Sequence, residues 1–240
     1  IMWYLEKTGS FIYGWRTIIL IHGRMAMFFS KMTFNTTNLP YESIGNEYFV
    51  HQMIWMAFSD NQDRKRDFLY RIEHSDKPPV VYAVSERSPF QSTRFWSIET
   101  KKYQPQIFIG LQLGFQLRAN PTFKREGKRH DVVMDNKINI KKEAGNKSNT
   151  RISEIMYTAG QEWLTSKSIK NGFQVCQLRV DGYRQHRLYK NNGRQEIKYS
   201  TIDFTGILTV VDKELFLKSL FQGVGPAKGF GCGLLMVKRI

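Results

Sequence analysis

The chain has 240 residues, with 36 lysines and arginines against 21 aspartates and glutamates, so its formal net charge is +15. This excess predicts a polyanionic partner, with nucleic acid favoured over an anionic membrane surface. A hydrophobic content of 41% excludes a wholly disordered chain. No apolar run approaches the roughly 18 residues that a membrane helix needs.

The chain from Met27 onward shows a regular succession of elements. Apolar residues alternate in the first of them and recur at helical spacing in the second. The predicted order is a strand at 28–34, a helix at 44–59, strands at 67–74 and 80–84, a weaker helix at 88–102 and a strand at 106–117. This βαββαβ order is typical of a ferredoxin-like domain.

The same order of elements repeats further along, although the two halves share no visible sequence repeat. The second set is a strand at 113–121, a helix at 153–167, strands at 173–180 and 197–211, a helix at 213–221 and a strand at 234–237. We therefore expect an α+β protein of two tandem ferredoxin-like (RRM-like) domains, at 27–110 and 111–240. Residues 123–150 are polar and basic, which predicts a mobile loop or a solvated insertion.

Five glycines lie between Gly223 and Gly233, in the turn before the last predicted strand. Such a turn lets backbone N–H groups approach a phosphate, whose charge Lys228 would neutralise. The spacing fits neither a P-loop nor a dinucleotide-binding loop, so no nucleotide cofactor is predicted. The alternative is a purely structural turn with several residues at positive φ.

Four parts of the chain, taken in order, resemble one protein family. These parts are residues 48–55 with 66–73, 115–121 with 127–129, 204–210, and 223–235. Together they resemble the CasE-type CRISPR endoribonucleases, the repeat-processing subunits of type I-E systems in the RAMP superfamily. The resemblance begins at Met27, so we expect residues 1–26 to be an extension outside the family fold.

The resemblance implies a metal-independent endoribonuclease that binds the stem-loop of a CRISPR repeat in pre-crRNA. It implies cleavage at the 3′ base of the stem by a 2′-OH, a 2′,3′-cyclic phosphate product, and retention of crRNA with the other Cascade subunits. No cofactor, metal ion or membrane is expected, and only two cysteines favour a reducing, cytoplasmic location. A non-catalytic RNA-binding subunit of the same superfamily and a basic DNA-binding protein remain alternatives.

The catalytic candidates lie on the first predicted helix. Metal-free RNA cleavage needs a base for the 2′-OH and an acid for the leaving oxygen, and histidine serves either purpose near neutral pH. The resemblance implies that His51 is the catalytic histidine and that Tyr48, one turn earlier, acts beside it. The pattern alone also permits a core histidine, because His51 shares a helical arc with Ile44, Trp55 and Phe58.

The RNA-binding candidates are spread over the second half of the chain. Residues 183–193 alternate aromatic and basic side chains and end in Asn-Gly, which predicts a projecting hairpin. The resemblance implies that this hairpin contacts the repeat RNA near the cut. The full set of candidates is Arg118, Lys124, Arg125, Lys128, Arg129, Arg184, Arg187, Lys190, Gly225, Lys228 and Gly229. Asp60, Asp63 and Asp67 surround basic residues, so we predict solvated charges there and no metal site.

Overall fold

The computed structural model describes residues 27–35, 47–59, 65–74, 79–90, 95–144, 150–190 and 195–240. Within these residues, two four-stranded antiparallel sheets and one separate two-stranded hairpin account for the strands. Their strands and helices confirm the predicted α+β class with two tandem ferredoxin-like folds. No helix in this part of the chain is long and apolar enough to cross a membrane.

The first sheet is built around the most N-terminal strand of the described residues. Its elements are β1 (Phe28–Phe34), α1 (Glu47–Phe58), β2 (Phe68–Glu73), β3 (Val80–Ser85) and β4 (Trp96–Lys102). The strand order is β2-β3-β1-β4, so that β1 lies between β3 and β4. Helix α1 packs on one face, where Ile54 and Phe58 are buried with Met32 and Tyr70.

The fourth strand of this sheet corrects the prediction. Residues 96–102, predicted as part of a weaker helix, form β4, and the strand predicted at 106–117 belongs to the second sheet. Trp96 and Ile98 lie opposite Phe34 and Met32 of β1. The two-residue alternation of β4 thus fits a half-buried strand rather than a helix.

The second sheet repeats the first in its strand order. Its half of the chain contains β5 (Gln112–Ala119), β6 (Thr122–Arg125), β7 (Lys128–Asp131), α2 (Val132–Ala144), α3 (Ile152–Ser168), β8 (Phe173–Lys190), β9 (Gln195–Val210), α4 (Lys213–Gln222) and β10 (Leu235–Arg239). The order β10-β5-β9-β8 places β5 between β9 and β10. Trp163 of α3 stacks on Phe204 of β9, and Phe216 of α4 meets Phe173 edge to face.

The prediction of a mobile loop at 123–150 was wrong over its described residues, which include most of β6 and all of β7 and α2. Glu126 and Gly127 join the two strands at φ values of 52° and 75°, as a two-residue hairpin turn requires. The Asp131 carboxylate accepts hydrogen bonds from the backbone N–H groups of Val133 and Met134, and this fixes the start of α2.

Asp203 of β9 joins the two sheets. Its carboxylate accepts two hydrogen bonds of 2.9 Å from Arg118 of β5 and pairs at 3.4 Å with Arg71 of β2. Arg118 also donates across the boundary to the carbonyl of Ile72 at 2.8 Å, and Arg71 pairs in addition with Glu73. At the junction of the sheets, the positive charges of two guanidinium groups are therefore balanced by the negative charges of two carboxylates.

We expect Asp203→Ala to destabilise the whole molecule, because it leaves two largely buried cations without their shared carboxylate. Removing one partner of a fully buried pair costs ~3–5 kcal/mol. The Asp203 side chain is 27% exposed, so we expect the free energy of unfolding to fall by about 2–4 kcal/mol in a urea titration.

Asp181→Ala is the matched control, because Asp181 lies directly opposite Asp203 on β8. Its partner Arg179 is 78% exposed, so its ion pair is screened by solvent. The control variant should lose less than about 1 kcal/mol. Equal losses for the two variants would show that the shared carboxylate does not hold the sheets together.

Candidate active site

A cleft opens between the two sheets beside the Asp203 junction. Its walls come from α1, β2, β5, β8, β9 and the turn before β10. Among the side chains that line it are His51, Tyr70, Arg184, His186, Tyr199 and Phe230. Helix, sheet and loop therefore present aromatic, imidazole and guanidinium groups to one small space.

His51 lies on the side of α1 that faces this cleft. Its Nδ1 is 3.1 Å from the hydroxyl of Tyr70, and its ring centre is 5.6 Å from that of Phe230. Tyr48, one turn earlier on the helix, has its ring centre 6.5 Å from that of His51. The structure thus brings the two catalytic candidates together, with His51 half-buried at the cleft wall.

The glycine-rich turn forms a second wall. Four of its glycines, at 223, 225, 231 and 233, have φ values between 75° and 91°, which confirms the predicted positive-φ turn. Gly229 is not among them, and Ala227 has a φ of 57° instead. A short 3₁₀ turn at Lys228–Phe230 then brings the Gly229 carbonyl within 2.7 Å of the Tyr70 hydroxyl.

Gly225 and Gly231 make different contacts. A Cβ on Gly225 would lie 3.1 Å from the ring of Trp163, so this glycine packs towards α3. A Cβ on Gly231 would lie 3.2 Å from the ring of Tyr70, so that glycine lets the turn close on the cleft. The contact of Gly225 with RNA, proposed from the sequence, stays a prediction, whereas Gly229 and Gly231 lie beside the His51 site.

Lys228 shares the outer side of this turn with Arg66. Burial lowers the pKa of the Lys228 ammonium, and the charge of Arg66 lowers it further. Burial also lowers the pKa of Arg66, whose guanidinium lies against Gly229. Two half-buried cations beside one turn form a site that an anion would stabilise. Sequence reasoning did not select Arg66, which it assigned to a charged turn.

Strand β8 contributes Arg184 and His186 to the cleft because of a β-bulge. The pairing register shifts between Asp181 and Arg184, with one extra residue on β8. This reverses the face that the following residues occupy, so Arg184 and His186 line the cleft. His186 was considered only as part of a basic hairpin. The sequence signal for the bulge is the lone Gly182 within the strand, which has a φ of 65°.

His186 is held firmly in this position. Its Nε2 lies 2.9 Å from the hydroxyl of Thr201, and its ring stacks on Tyr199 at 4.6 Å with an angle of 8°. Tyr199 stacks in turn on Phe230, with ring centres 5.0 Å apart. Because Phe230 also contacts His51, a continuous series of rings connects the two histidines across the cleft.

The other hairpin candidates lie differently. Arg187 is opposite Lys198 on the exposed ladder and does not line the cleft. The hydrogen bond from Lys198 lowers the pKa of Glu196, and the charge of Arg187 lowers it further. Lys190 ends β8, and its side chain and residues 191–194, where the sequence predicts the tip of the hairpin, lie outside the described residues. The hairpin itself is confirmed as the paired ends of β8 and β9.

The remaining basic candidates lie on the β6–β7 hairpin or at the sheet junction. Lys124 is opposite Arg129, and Arg125 is opposite Lys128, so two like-charged pairs face each other across the strands. Such pairs destabilise a hairpin unless counter-ions are present. Arg125 is also paired at 2.7 Å with an aspartate of α2.

Arg118 has a structural role that the sequence did not suggest. Burial opposes its charge, but the hydrogen bonds and charge of Asp203 outweigh that effect and raise the pKa of its guanidinium. Its contact with a phosphate stays a prediction. Asp67, predicted to be solvated, is instead paired with Arg87 at 2.6 Å, while Asp60 and Asp63 lie outside the described residues. Within the described ranges, no cluster of three metal-ligating side chains occurs.

Comparison with known proteins agrees with this arrangement. A family model described as "CRISPR associated protein" matches residues 27–239. The chain is 30% identical over 190 residues to the CRISPR system Cascade subunit CasE of Escherichia coli K12, covering 78% of this chain and 89% of that protein. It is 25% identical to the CRISPR-associated endoribonuclease Cse3 of Thermus thermophilus, covering 88% and 99%.

Solved structures show the same fold. Thermus thermophilus Cse3 bound to an RNA representing a pre-cleavage complex is similar with a TM-score of 0.67 at 24% identity, covering 89% of this chain and 99% of that one. The CRISPR-associated protein Cas6e of Escherichia coli is similar with a TM-score of 0.59 at 26% identity, covering 89% and 100%.

The antiparallel double-sheet fold, the cleft histidine and the family match together define a CRISPR-associated protein, and the chain belongs to that family. Within the family it is of the CasE type, the CRISPR-associated endoribonucleases.

Because Gly231 lies close to the ring of Tyr70, a substitution at Gly231 should change the free energy of unfolding. Gly231→Ala should lower the free energy of unfolding by about 1–2 kcal/mol through its positive φ, and by about 1–3 kcal/mol more through contact with the Tyr70 ring. Gly110→Ala is the control, because Gly110 has a φ of 85° but no atom within 4 Å of its Cβ position. Equal losses in urea titrations would contradict the ring contact.

Proposed function

We propose that this protein binds the stem-loop of a CRISPR repeat and cuts pre-crRNA at the 3′ base of the stem without a metal ion. The supporting observation is the position of His51, at the wall of a cleft that also presents Arg184 and His186, with Tyr48 beside His51 on the helix. In the proposal, residues 27–110 supply the catalytic helix and residues 111–240 supply most of the contacts with RNA.

The proposed reaction is an internal transesterification. A base removes the proton of the 2′-OH, the O2′–P bond forms, and the P–O5′ bond breaks as an acid donates a proton to O5′. The products are a 2′,3′-cyclic phosphate and a 5′-OH. His51 exchanges one of the two protons, with Tyr48 beside it on the same helical face, and His186 is placed across the cleft for the other.

Affinity in this proposal comes mainly from contacts with phosphates. The like-charged pair of Lys124 and Arg129 on the β6–β7 hairpin becomes favourable when it lies along an RNA backbone, because phosphates act as its counter-ions. Arg184 lies inside the cleft, where it is placed to neutralise the phosphate at the cut. Arg66 and Lys228 flank the glycine-rich turn and form a further phosphate contact.

We also propose that the protein keeps its product and enters a Cascade complex in the cytoplasm. The support is its similarity to a Cascade subunit of Escherichia coli at 30% identity. The chain has only two cysteines, Cys176 and Cys232, which suits a reducing compartment. In this arrangement the enzyme makes one cut for each crRNA that it retains.

The mechanism predicts how cleavage depends on His51 and on the 2′-OH. Cutting of a repeat hairpin should continue in EDTA and should stop when the nucleotide 5′ to the cut is 2′-deoxy. His51→Ala should slow single-turnover cleavage by roughly 10² to 10⁴-fold, because it removes a general acid–base group, while hairpin binding measured by fluorescence anisotropy stays largely intact.

A requirement for added Mg²⁺ would overturn this mechanism. Parallel loss of folding and binding in His51→Ala would instead identify His51 as a structural residue. His186→Ala distinguishes its two possible roles in the same assay, because a proton donor affects the rate at saturating RNA and a phosphate contact affects the affinity. Binding without cleavage in the unaltered protein would indicate a non-catalytic subunit.

We expect replacement of Lys228 to weaken RNA binding without lowering the stability of the protein. Lys228→Ala should weaken hairpin binding and reduce its salt slope by about 0.7–0.9, the value for one phosphate contact. Its melting temperature should stay equal or rise, because the variant removes a desolvated charge beside Arg66. Lys170→Ala, at an exposed lysine after α3, is the control and should change neither quantity. An unchanged salt slope for Lys228→Ala would place this side chain away from the RNA.

A further inference from the structure

Tyr70 occupies a buried position between His51 and the glycine-rich turn. It is 1% exposed, packs in the core between α1 and the first sheet, and lines the cleft. That hydroxyl is 2.7 Å from the carbonyl oxygen of Gly229 and 3.1 Å from Nδ1 of His51. Neither the composition nor the motifs of the sequence select this tyrosine.

The proton of the Tyr70 hydroxyl has a defined direction. A backbone carbonyl only accepts hydrogen bonds, so the 2.7 Å contact requires Tyr70 to donate its single proton to Gly229. The same oxygen can then only accept a hydrogen bond from His51. The proton on the imidazole must therefore reside on Nδ1, and the neutral ring must carry its lone pair on Nε2.

We infer that Tyr70 is a positioning residue that fixes the tautomer and the ring orientation of His51. This inference rests on the proposed function, in which His51 exchanges a proton with the RNA. With Nδ1 bound to Tyr70, Nε2 is the nitrogen that takes up a proton from the 2′-OH or returns one to the leaving oxygen. Tyr70 itself exchanges no proton with the substrate.

The inference also assigns the glycine-rich turn a task at the reaction centre. The Gly229 carbonyl orients Tyr70, Gly231 leaves room for the Tyr70 ring, and Phe230 lies against the His51 ring. Three consecutive residues of the turn thus act on His51, directly or through Tyr70. The turn connects the second sheet to the catalytic helix of the first, so the site is complete only when both halves are docked.

The test is the tautomer of His51, read from ¹H–¹⁵N spectra of protein labelled at histidine. The His51 signals are assigned by their loss in His51→Ala. In the unaltered protein without RNA, His51 should carry its proton on Nδ1. In Tyr70→Phe, which keeps the ring and removes the hydroxyl, the signals should shift towards the mixture of both tautomers found in an unrestrained imidazole.

Tyr103→Phe is the matched control. Tyr103 is also largely buried, which raises the pKa of its hydroxyl to about 12, but it packs against Phe29 and Phe221 away from His51. This variant should leave the His51 signals unchanged. Should Tyr70→Phe fold poorly, the spectrum of the unaltered protein decides alone, since a proton on Nε2 of the neutral ring would overturn the inference.

Cleavage provides the second measurement. Tyr70→Phe should slow single-turnover cleavage by at least about tenfold, and by less than the ~10⁴-fold that loss of an orienting carboxylate costs a serine protease. Hairpin affinity should remain unchanged. An unaltered tautomer in Tyr70→Phe would refute the positioning role whatever the rate. A fixed tautomer in a protein whose His51→Ala variant cleaves normally would refute the proposed function instead.

Discussion

The geometry of the molecule depends on the carboxylate of Asp203, which two arginines from different sheets share. Arg118 and Asp203 belong to the second sheet, and Arg71 reaches them from the first. Arg118 also donates to a carbonyl of β2, so the two sheets are joined by directional bonds as well as by charge. The cleft has fixed walls because this junction fixes the separation of the sheets, and the contact of Tyr70 with Gly229 spans the same boundary.

The basic side chains of this protein fall into two sets, those neutralised at the junction and those that are not. Asp203 and Glu73 neutralise Arg71 and Arg118, which therefore serve structure. Other cations lie in like-charged groups, on the β6–β7 hairpin and around Lys228, where burial or repulsion disfavours them in the free protein. Such groups release part of this unfavourable energy when they meet phosphates, so the free protein is less stable than it would be without them. Basic residues that look alike in the sequence thus differ in what they do.

Much of the fold follows from local patterns, and the exceptions have physical causes. Regular alternation and helical spacing predicted both ferredoxin-like folds and the helix that carries His51, and the density of glycines predicted the positive-φ turn. Polar composition concealed α2, because a surface helix capped by Asp131 needs only a narrow apolar stripe. The bulge after Asp181 is a long-range feature, set by how β8 pairs with β9, and only the structure shows that His186 faces the cleft. The roles of Arg118 and Tyr70 depend on contacts 85 and 159 residues apart in the chain, which no local window contains.

The two halves of the chain contribute different groups to the cleft. The first half provides His51, and the second provides the β6–β7 hairpin, the bulged strand and the glycine-rich turn. Recognition of a stem by exposed cations tolerates small shifts, because electrostatic attraction to a backbone falls off gradually with distance. Proton transfer does not tolerate such shifts, because it requires hydrogen-bond geometry at both nitrogens of the histidine. In the proposed mechanism, a buried tyrosine and a carbonyl tether His51 to the half that supplies most contacts with RNA. Chemistry is then conditional on the correct docking of the halves, while binding is less sensitive to it.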